Sequence, residues 1–321
     1  MLNVAYSSDE NFAPYLGVSI FSLLKYNKDD FNEINLYILD NGIKEESKEK
    51  LIKLCDAYNA KIFFIYVGNI ENKLEVSINI EDSPSSVYAR LFLSSLLEDI
   101  DKVLYLDADS LIQGSLKEIW ELDIDNYYYA GVLDVIPPIY KLNSMIEGKI
   151  DDVYINTGFL LINLKRWREN KVEEKFIKFI NKHKGKFLHA DQSILNGVFK
   201  SNVKIIEPKY NVLQPFYDLK YQDLVKWVGF DYYTKDDIKE AIKNPIFIHF
   251  AISINGRPWF KGNTNHKFYY KYKNYANLSP FKNIYIEENI NYKMKIIGFL
   301  MKNFPMRFVS FVYNIYLRII S

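Results

Sequence analysis

The stretch Val103-Leu104-Tyr105-Leu106-Asp107-Ala108-Asp109 decides the fold: four apolar residues run into two carboxylates separated by one small side chain. Consecutive apolar, mostly strand-forming residues bounded by polar ones read as a strand buried in a covered sheet. In open α/β sheets ligands occupy the crevice beyond the carboxyl ends of the strands, which is where Asp107 and Asp109 are expected to stand. Both are hard oxygen donors, and Ala108 does not obstruct them, so the pair can reach one divalent cation directly or through water. The competing reading is a strand-end turn in which Asp caps the loop Asp107-Ala108-Asp109-Ser110. Asp-x-Asp alone does not decide between the two.

Upstream of that strand, the chain alternates strand and helix. Residues 2–6 form a short apolar strand, 7–11 a polar loop and 14–26 an apolar-periodic helix. A second strand covers 34–39 and turns at Asp40-Asn41-Gly42. Residues 44–58 set Leu51, Ile52, Leu54, Cys55 and Tyr58 at helical spacing, and 61–67 return as a third strand. This alternation implies a mostly parallel sheet with right-handed crossovers, a Rossmann-like nucleotide-binding half. No Gly-x-Gly-x-x-Gly follows the first strand, so another group must neutralise any bound diphosphate.

Downstream, residues 86–97 read as a helix carrying Arg90, and strands follow at 129–133 and 159–162. Asp134 comes after the first of these, and Asn156-Thr157-Gly158 before the second. Residues 165–182 read as one amphipathic helix with a solvated Lys/Glu face. Asp191-Gln192 opens a helix through Phe199, where an Asp is equally at home as an N-terminal cap. A late strand, 245–250, carries His249, and a loop then leads to Gly256-Arg257-Pro258-Trp259. A histidine by itself is more often structural than a ligand; the paired carboxylates reverse that judgement.

Composition sets the outer bounds. A chain of 321 residues can bury one substantial core, and 49% apolar with 25% charged residues is ordinary for a globular protein. A net charge of +1 gives no global attraction to nucleic acid. The lone Cys55 falls on an apolar helix face and reads as core. The first residues lack the charged leader and apolar stretch of a signal peptide, so a cytoplasmic location is expected.

Taken in order, Tyr88-Ala89-Arg90-Leu91, the Asp107-Ala108-Asp109 strand, the run Asn156-Thr157-Gly158-Phe159-Leu160-Leu161-Ile162-Asn163, Asp191-Gln192, Ile194-Leu195-Asn196-Gly197 and a late His with Arg-Pro-Trp form a set. The set resembles glycosyltransferase family 8, retaining enzymes of the GT-A fold. It is most similar to bacterial lipopolysaccharide and cell-surface galactosyl- and glucosyltransferases, and the likeness runs from Met1 to about Phe260. The resemblance implies transfer of a hexose from a UDP-sugar to a glycan or lipid-linked saccharide. Asp107, Asp109 and His249 match three ligands of Mn2+, with Mg2+ an alternative. Ser7, Asp9 and Asn11 match positions that hold uracil and ribose, and Arg90 a donor-site arginine. Asp134, Asn156, Thr157, Asp191 and Gln192 match residues around the donor sugar, with Gln192 nearest its back face. The family's usual ending is His-x-x-Gly-x-x-Lys-Pro-Trp; here His249 and Gly256 are farther apart and Arg257 replaces Lys, a cation that still binds phosphate. A self-glucosylating, glycogenin-like protein and an inactive sugar-nucleotide-binding module are the alternatives.

The last stretch changes character. From Tyr292 onward Lys293, Lys295, Lys302, Arg307 and Arg318 are interleaved with aromatic and aliphatic residues. Basic and apolar residues at this density suggest a segment lying in an anionic membrane interface, the competing reading being a helix packed on the catalytic domain. The expected division is a catalytic domain over 1–280 and a tail over 281–321, peripheral on the inner face of the membrane. Arg307 interrupts the apolar run, so no transmembrane span is expected.

Overall fold

The computed structural model describes residues 1–68, 70, 74, 85–138, 140–141, 149, 152–229, 232–251, 256–282, 284, 286, 292–305, 308–309, 311–313 and 315. Seven strands form the central sheet in the order β3 (Lys61–Tyr66), β2 (Ile34–Asp40), β1 (Leu2–Ser8), β4 (Lys102–Leu106), β7 (Ile155–Asn163), β6 (Tyr129–Leu133) and β8 (Lys204–Ile205). Pairs β3–β2, β2–β1, β1–β4 and β6–β8 are parallel; β7 alone runs against its neighbours β4 and β6. The mostly parallel sheet flanked by helices is therefore as expected.

Why the strand of β4 reads as an unbroken apolar run is visible in the packing. Leu104 and Leu106 join one core with Val4, Tyr6, Phe159 and Leu161, beneath α1 (Ala13–Asn27) and α2 (Glu45–Ala57). Val103 and Tyr105 join a second core with Ala5, Leu160 and Ile162, beneath Phe92, Trp167, Phe176 and Ile194. Successive side chains alternate between two helix-covered faces, so neither face tolerates a polar residue.

Three local expectations need correction. The Arg90 segment is not one α-helix: Ser85–Phe92 winds as a 3-10 helix and a single short α-turn, Leu93–Leu96, follows. The strand placed at 159–162 begins earlier, at Ile155, so Asn156, Thr157 and Gly158 lie inside β7. The long amphipathic helix is two, Leu164–Glu169 and Val172–Lys182, separated where Lys171 takes φ +50 in the left-handed region.

A second, two-stranded sheet pairs β5 (Ser110–Ile112) with β9 (Phe247–His249) antiparallel, setting Ser110 opposite His249. The Phe250 amide then donates to the Asp109 carbonyl at 2.8 Å. A residue 140 positions away is thereby carried to the end of β4 by three pairs of backbone partners.

Beyond Leu278 the chain returns to α1. Phe281 is buried, and its ring lies where a Cβ on Gly17 would sit, 2.3 Å from the nearest ring carbon. Gly17→Ala is accordingly expected to destabilise the protein by about 1–3 kcal/mol through overpacking, although alanine is the better helix former. Thermal melting checks the sign, and a raised melting temperature would show that Phe281 does not occupy that groove.

Candidate active site

The buried guanidinium of Arg90 joins three separate segments. Nη2 donates to Asp107 Oδ1 at 2.8 Å, Nη1 to the Thr157 carbonyl at 2.9 Å, and Nε forms an ion pair with Asp191 Oδ2 at 3.1 Å. Its carbon lies 4.2 Å from the Tyr105 ring centroid, so the cation also rests on an aromatic face. Burial opposes the arginine's charge, but Asp107 and Asp191 hold its pKa above the ordinary value.

Asp107, Asp109 and His249 converge. One carboxylate or imidazole atom from each lies within 4.8 Å of the other two. Nε2 of His249 stands 3.5 Å from Asp107 Oδ2 and 3.3 Å from Asp109 Oδ1. Gly158 makes this possible: a Cβ there would fall 2.2 Å from the imidazole ring. The remaining oxygens are bracketed by arginines, Asp107 Oδ1 by Arg90 and Asp109 Oδ2 by Arg257 Nη2 at 2.7 Å. Two hard carboxylates and one imidazole form a donor set that fits Mn2+ or Mg2+.

The electrostatics follow from this crowding. Burial acts to raise the Asp109 carboxyl, but Arg257 and His249 outweigh it and hold it well below the usual carboxylate range. Burial likewise disfavours a charged His249, yet Asp109 and Asp107 raise its pKa above the ordinary value.

The wide spacing after His249 does not carry Arg257 away. Gly256 takes φ +70, in the left-handed region that glycine enters without strain, and Arg257 returns against Asp109. Its Nε donates to the Phe250 carbonyl at 3.0 Å, and its guanidinium lies 5.3 Å from the Trp259 ring and 5.6 Å from Phe12.

On the other side of β7, Gln192 is held at both ends of its amide. Oε1 accepts from the Thr157 amide at 3.0 Å, and Nε2 donates to Asp134 Oδ2 at 2.8 Å. Asp134 Oδ1 accepts from the Val135 amide at 2.8 Å and from Asn156 Nδ2 at 3.3 Å. Asn196 fixes the Ala190–Phe199 helix to β7, accepting from the Ile155 amide at 2.7 Å and donating to its carbonyl at 2.9 Å. Asp191 does not cap this helix. The N-cap residue is His189, and the Asp191 carboxylate turns toward Arg90 and Thr157 Oγ1.

Ser7, Asp9 and Asn11 stand at the carboxyl end of β1, whose neighbour is β4. Asp9 Oδ1 accepts the Phe12 amide at 2.9 Å, and Asn11 is exposed. The other expected residues are drawn together around Arg90, β7 and Asp109. Three residues that no motif singled out also lie here. His189 bonds Tyr140 through Nε2 at 2.5 Å and faces Tyr154 Oη and Gln192 Nε2 through Nδ1 at 3.3 Å each. Asn211 donates to Asn156 at 2.8 Å. His189 and Tyr154 each stand two residues before a motif, Asp191-Gln192 and Asn156-Thr157, whereas Asn211 lies beside none.

A family profile for glycosyl transferase family 8 matches residues 3–262. The chain belongs to glycosyltransferase family 8. A Haemophilus influenzae protein named as a glycosyltransferase is 39% identical over 214 residues, covering 65% of this chain and 63% of that protein, just under two thirds of its length. The lipopolysaccharide 1,2-glucosyltransferase of Escherichia coli is 30% identical over 290 residues, 88% of this chain and 77% of that one. Among solved structures, the galactosyltransferase LgtC in complex with donor and acceptor sugar analogues superposes with a TM-score of 0.70 at 24% identity, covering 87% of this chain and 96% of LgtC. The fold is GT-A.

Asp191 generates a pH prediction. Burial raises its carboxyl from 3.8 to about 6, with Asp107 adding and Arg90 opposing. An acid with a raised folded pKa contributes stability that is complete below 3.8 and lost as pH rises through about 6. Relative to the wild type, Asp191→Asn should therefore gain stability as pH rises through about 6, on top of a pH-independent cost from the partner that Arg90 loses. Denaturant melts across that range check this, and a pH-independent difference would overturn it.

Proposed function

We propose that this family 8 protein is a metal-dependent, retaining hexosyltransferase that moves galactose or glucose from a UDP-sugar to a cell-surface glycan or lipid-linked saccharide. The observation that carries the reading is the convergence of Asp107, Asp109 and His249 between two arginines at the carboxyl end of β4. The related lipopolysaccharide glucosyltransferase and the galactosyltransferase neighbour support the substrate class.

Asp107, Asp109 and His249 would hold Mn2+ or Mg2+, which supplies countercharge for the departing nucleoside diphosphate. Arg257 takes the place of the family's Lys and, from beside Asp109, offers a guanidinium to phosphate oxygens, with Gly256 shaping its turn. Arg90 holds Asp107 in place. Ser7, Asp9 and Asn11 receive the uridine, and Asn156, Thr157 and Ala108 line the donor site beside them.

Retention by a covalent intermediate needs a free carboxylate near the anomeric carbon. Asp191 is buried against Arg90 and Thr157, and both oxygens of Asp134 already accept hydrogen bonds. The remaining route is displacement on one face: the sugar–phosphate bond breaks, the acceptor hydroxyl bonds to the same carbon, and a phosphate oxygen takes its proton. Gln192, an amide fixed between Thr157 and Asp134, is a poor nucleophile; with the Asp134 charge behind it, it stabilises the positive charge developing on the sugar.

UDP-galactose and UDP-glucose are the donors to screen, by hydrolysis in the presence of Mn2+. The full chain should hydrolyse one of them, and Asp107→Asn should lower turnover by orders of magnitude. Mn2+ with UDP should raise the melting temperature of the wild type and leave an Asp107→Asn/Asp109→Asn variant unchanged. An equal shift in both would mean that the cation binds elsewhere.

The tail bears on localisation. Among the described residues no helix is long and apolar enough to cross a membrane. Val309 is buried against the core, and Tyr313 lies on Trp227 at 5.1 Å, so one side of the segment packs on the catalytic domain. Phe299, Phe304, Phe308 and Phe311 are turned outward, Phe299 and Phe311 more than 60% exposed at 61% and 62%. No Asp or Glu follows Glu288, while five Lys and Arg do. We therefore retain a catalytic domain over 1–280 with a tail over 281–321 that docks by one side and meets the anionic cytoplasmic leaflet with the other. Each basic residue near the surface contributes roughly 1 kcal/mol, weakened by salt, and the rings add a salt-resistant part. Replacing the four outward Phe residues by Ser should abolish the salt-resistant part of sedimentation with anionic liposomes and leave turnover of a soluble acceptor intact. Full-length protein that ignores such liposomes at low salt would remove the membrane reading.

A further inference from the structure

His249 is held from behind as well as in front. Nε2 faces Asp107 and Asp109, and Nδ1 lies 3.2 Å from Asn156 Oδ1. Which ring nitrogen is free to bind a ligand depends on which way the Asn156 amide points. Its oxygen meets two further donors, the Gly158 amide at 3.1 Å and Asn211 Nδ2 at 2.8 Å, while its nitrogen donates to Asp134 Oδ1 at 3.3 Å. Turning the amide over would set NH2 against two donors and an oxygen against a carboxylate. Only one orientation remains. With an oxygen at Nδ1, that nitrogen carries the hydrogen, and Nε2 is left facing the carboxylates.

Asn211 comes from a different part of the chain. It follows the 3-10 turn Pro208–Tyr210 and precedes Val212, whose carbonyl accepts the His249 amide at 3.2 Å. It is fully buried, and among the described residues its own Oδ1 has no hydrogen-bond partner. An apolar side chain would fill this space without stranding a buried oxygen; the amide nitrogen is the part that is used.

We infer that Asn211 is a positioning residue for His249: by pinning the Asn156 carbonyl oxygen it keeps Nδ1 protonated and presents Nε2 beside Asp107 and Asp109. The inference rests on reading those three residues as a divalent-cation site. Outer-shell partners of metal-bound histidines commonly set ring tautomer and orientation, and their loss typically weakens metal affinity by about 10–100-fold.

The test compares full-length wild type, Asn211→Asp and Asn211→Leu by Mn2+ titration, reading free Mn2+ by electron paramagnetic resonance, with metal-free melting curves alongside. Asn211→Asp keeps the shape and replaces the donor by oxygen; Asn211→Leu removes both polar atoms. Both are expected to bind Mn2+ about 10–100-fold more weakly and to need correspondingly more Mn2+ for half-maximal turnover. Folded variants that bind Mn2+ as the wild type does would overturn the inference, whereas a wild type that binds no Mn2+ would overturn the metal reading beneath it. An arm independent of variants uses the wild type labelled with 15N at its four histidines and loaded with diamagnetic Mg2+. Protonated Nδ1 at His249 is the expected result, and protonated Nε2 sinks the proposal even if both variants fail to fold.

Discussion

The site depends on one buried cation. Arg90 has no solvent to share its charge, so its three directions are satisfied by Asp107, Asp191 and the Thr157 carbonyl. Those partners belong to the end of β4, the first turn of the Ala190–Phe199 helix and the start of β7. A buried guanidinium stripped of a partner is costly, and so is each carboxylate left without the guanidinium. The three segments are consequently fixed relative to one another before any ligand arrives. The two carboxylates of Asp-Ala-Asp are not left to repel each other either: Arg90 and Arg257 flank them, and His249 sits between.

Around that cation the backbone does the long-range placing. The β5–β9 ribbon brings His249 to the residue after Asp109, and Gly158 leaves the room into which the imidazole fits. β7 runs antiparallel in an otherwise parallel sheet, so its first residues, Asn156 to Gly158, arrive at the carboxyl end of β4. Had β7 been parallel, that Asn-Thr-Gly run would lie at the opposite edge of the sheet, and neither Gln192 nor His249 would find its partners.

A continuous set of hydrogen bonds joins the two halves of the site: His249 to Asn156, Asn156 to Asp134, Asp134 to Gln192, and Gln192 back to Thr157. Each amide in the chain has one orientation that satisfies its neighbours. Such a network is rigid where it is complete, because any reorientation leaves a buried donor or acceptor unpaired. His189 extends it toward Tyr140, whose ring lies 6.3 Å from Tyr313 of the tail. The tail thus borders the same side of the protein that carries Gln192.

Local pattern alone determined the strands of the first half, the alternation that makes a parallel sheet, and Asp107 and Asp109 at a strand end. Each is written in near-neighbour periodicity, where burial on two faces or one dictates the residue types. The ordered motifs likewise determined the family and pointed to Arg90, Asp134, Asn156, Thr157, Asp191, Gln192, His249 and Arg257 as candidates. Only tertiary structure decided how they meet. Periodicity is blind to strand direction, so the reversal of β7 and its start at Ile155 were not legible. The 3-10 winding around Arg90 was likewise not legible. Asn211 and Tyr154 lie in no motif, because a side-chain amide or hydroxyl acquires its role from the groups that folding sets beside it. Those partners are tens of residues away along the chain and within hydrogen-bond distance only once the sheet has formed.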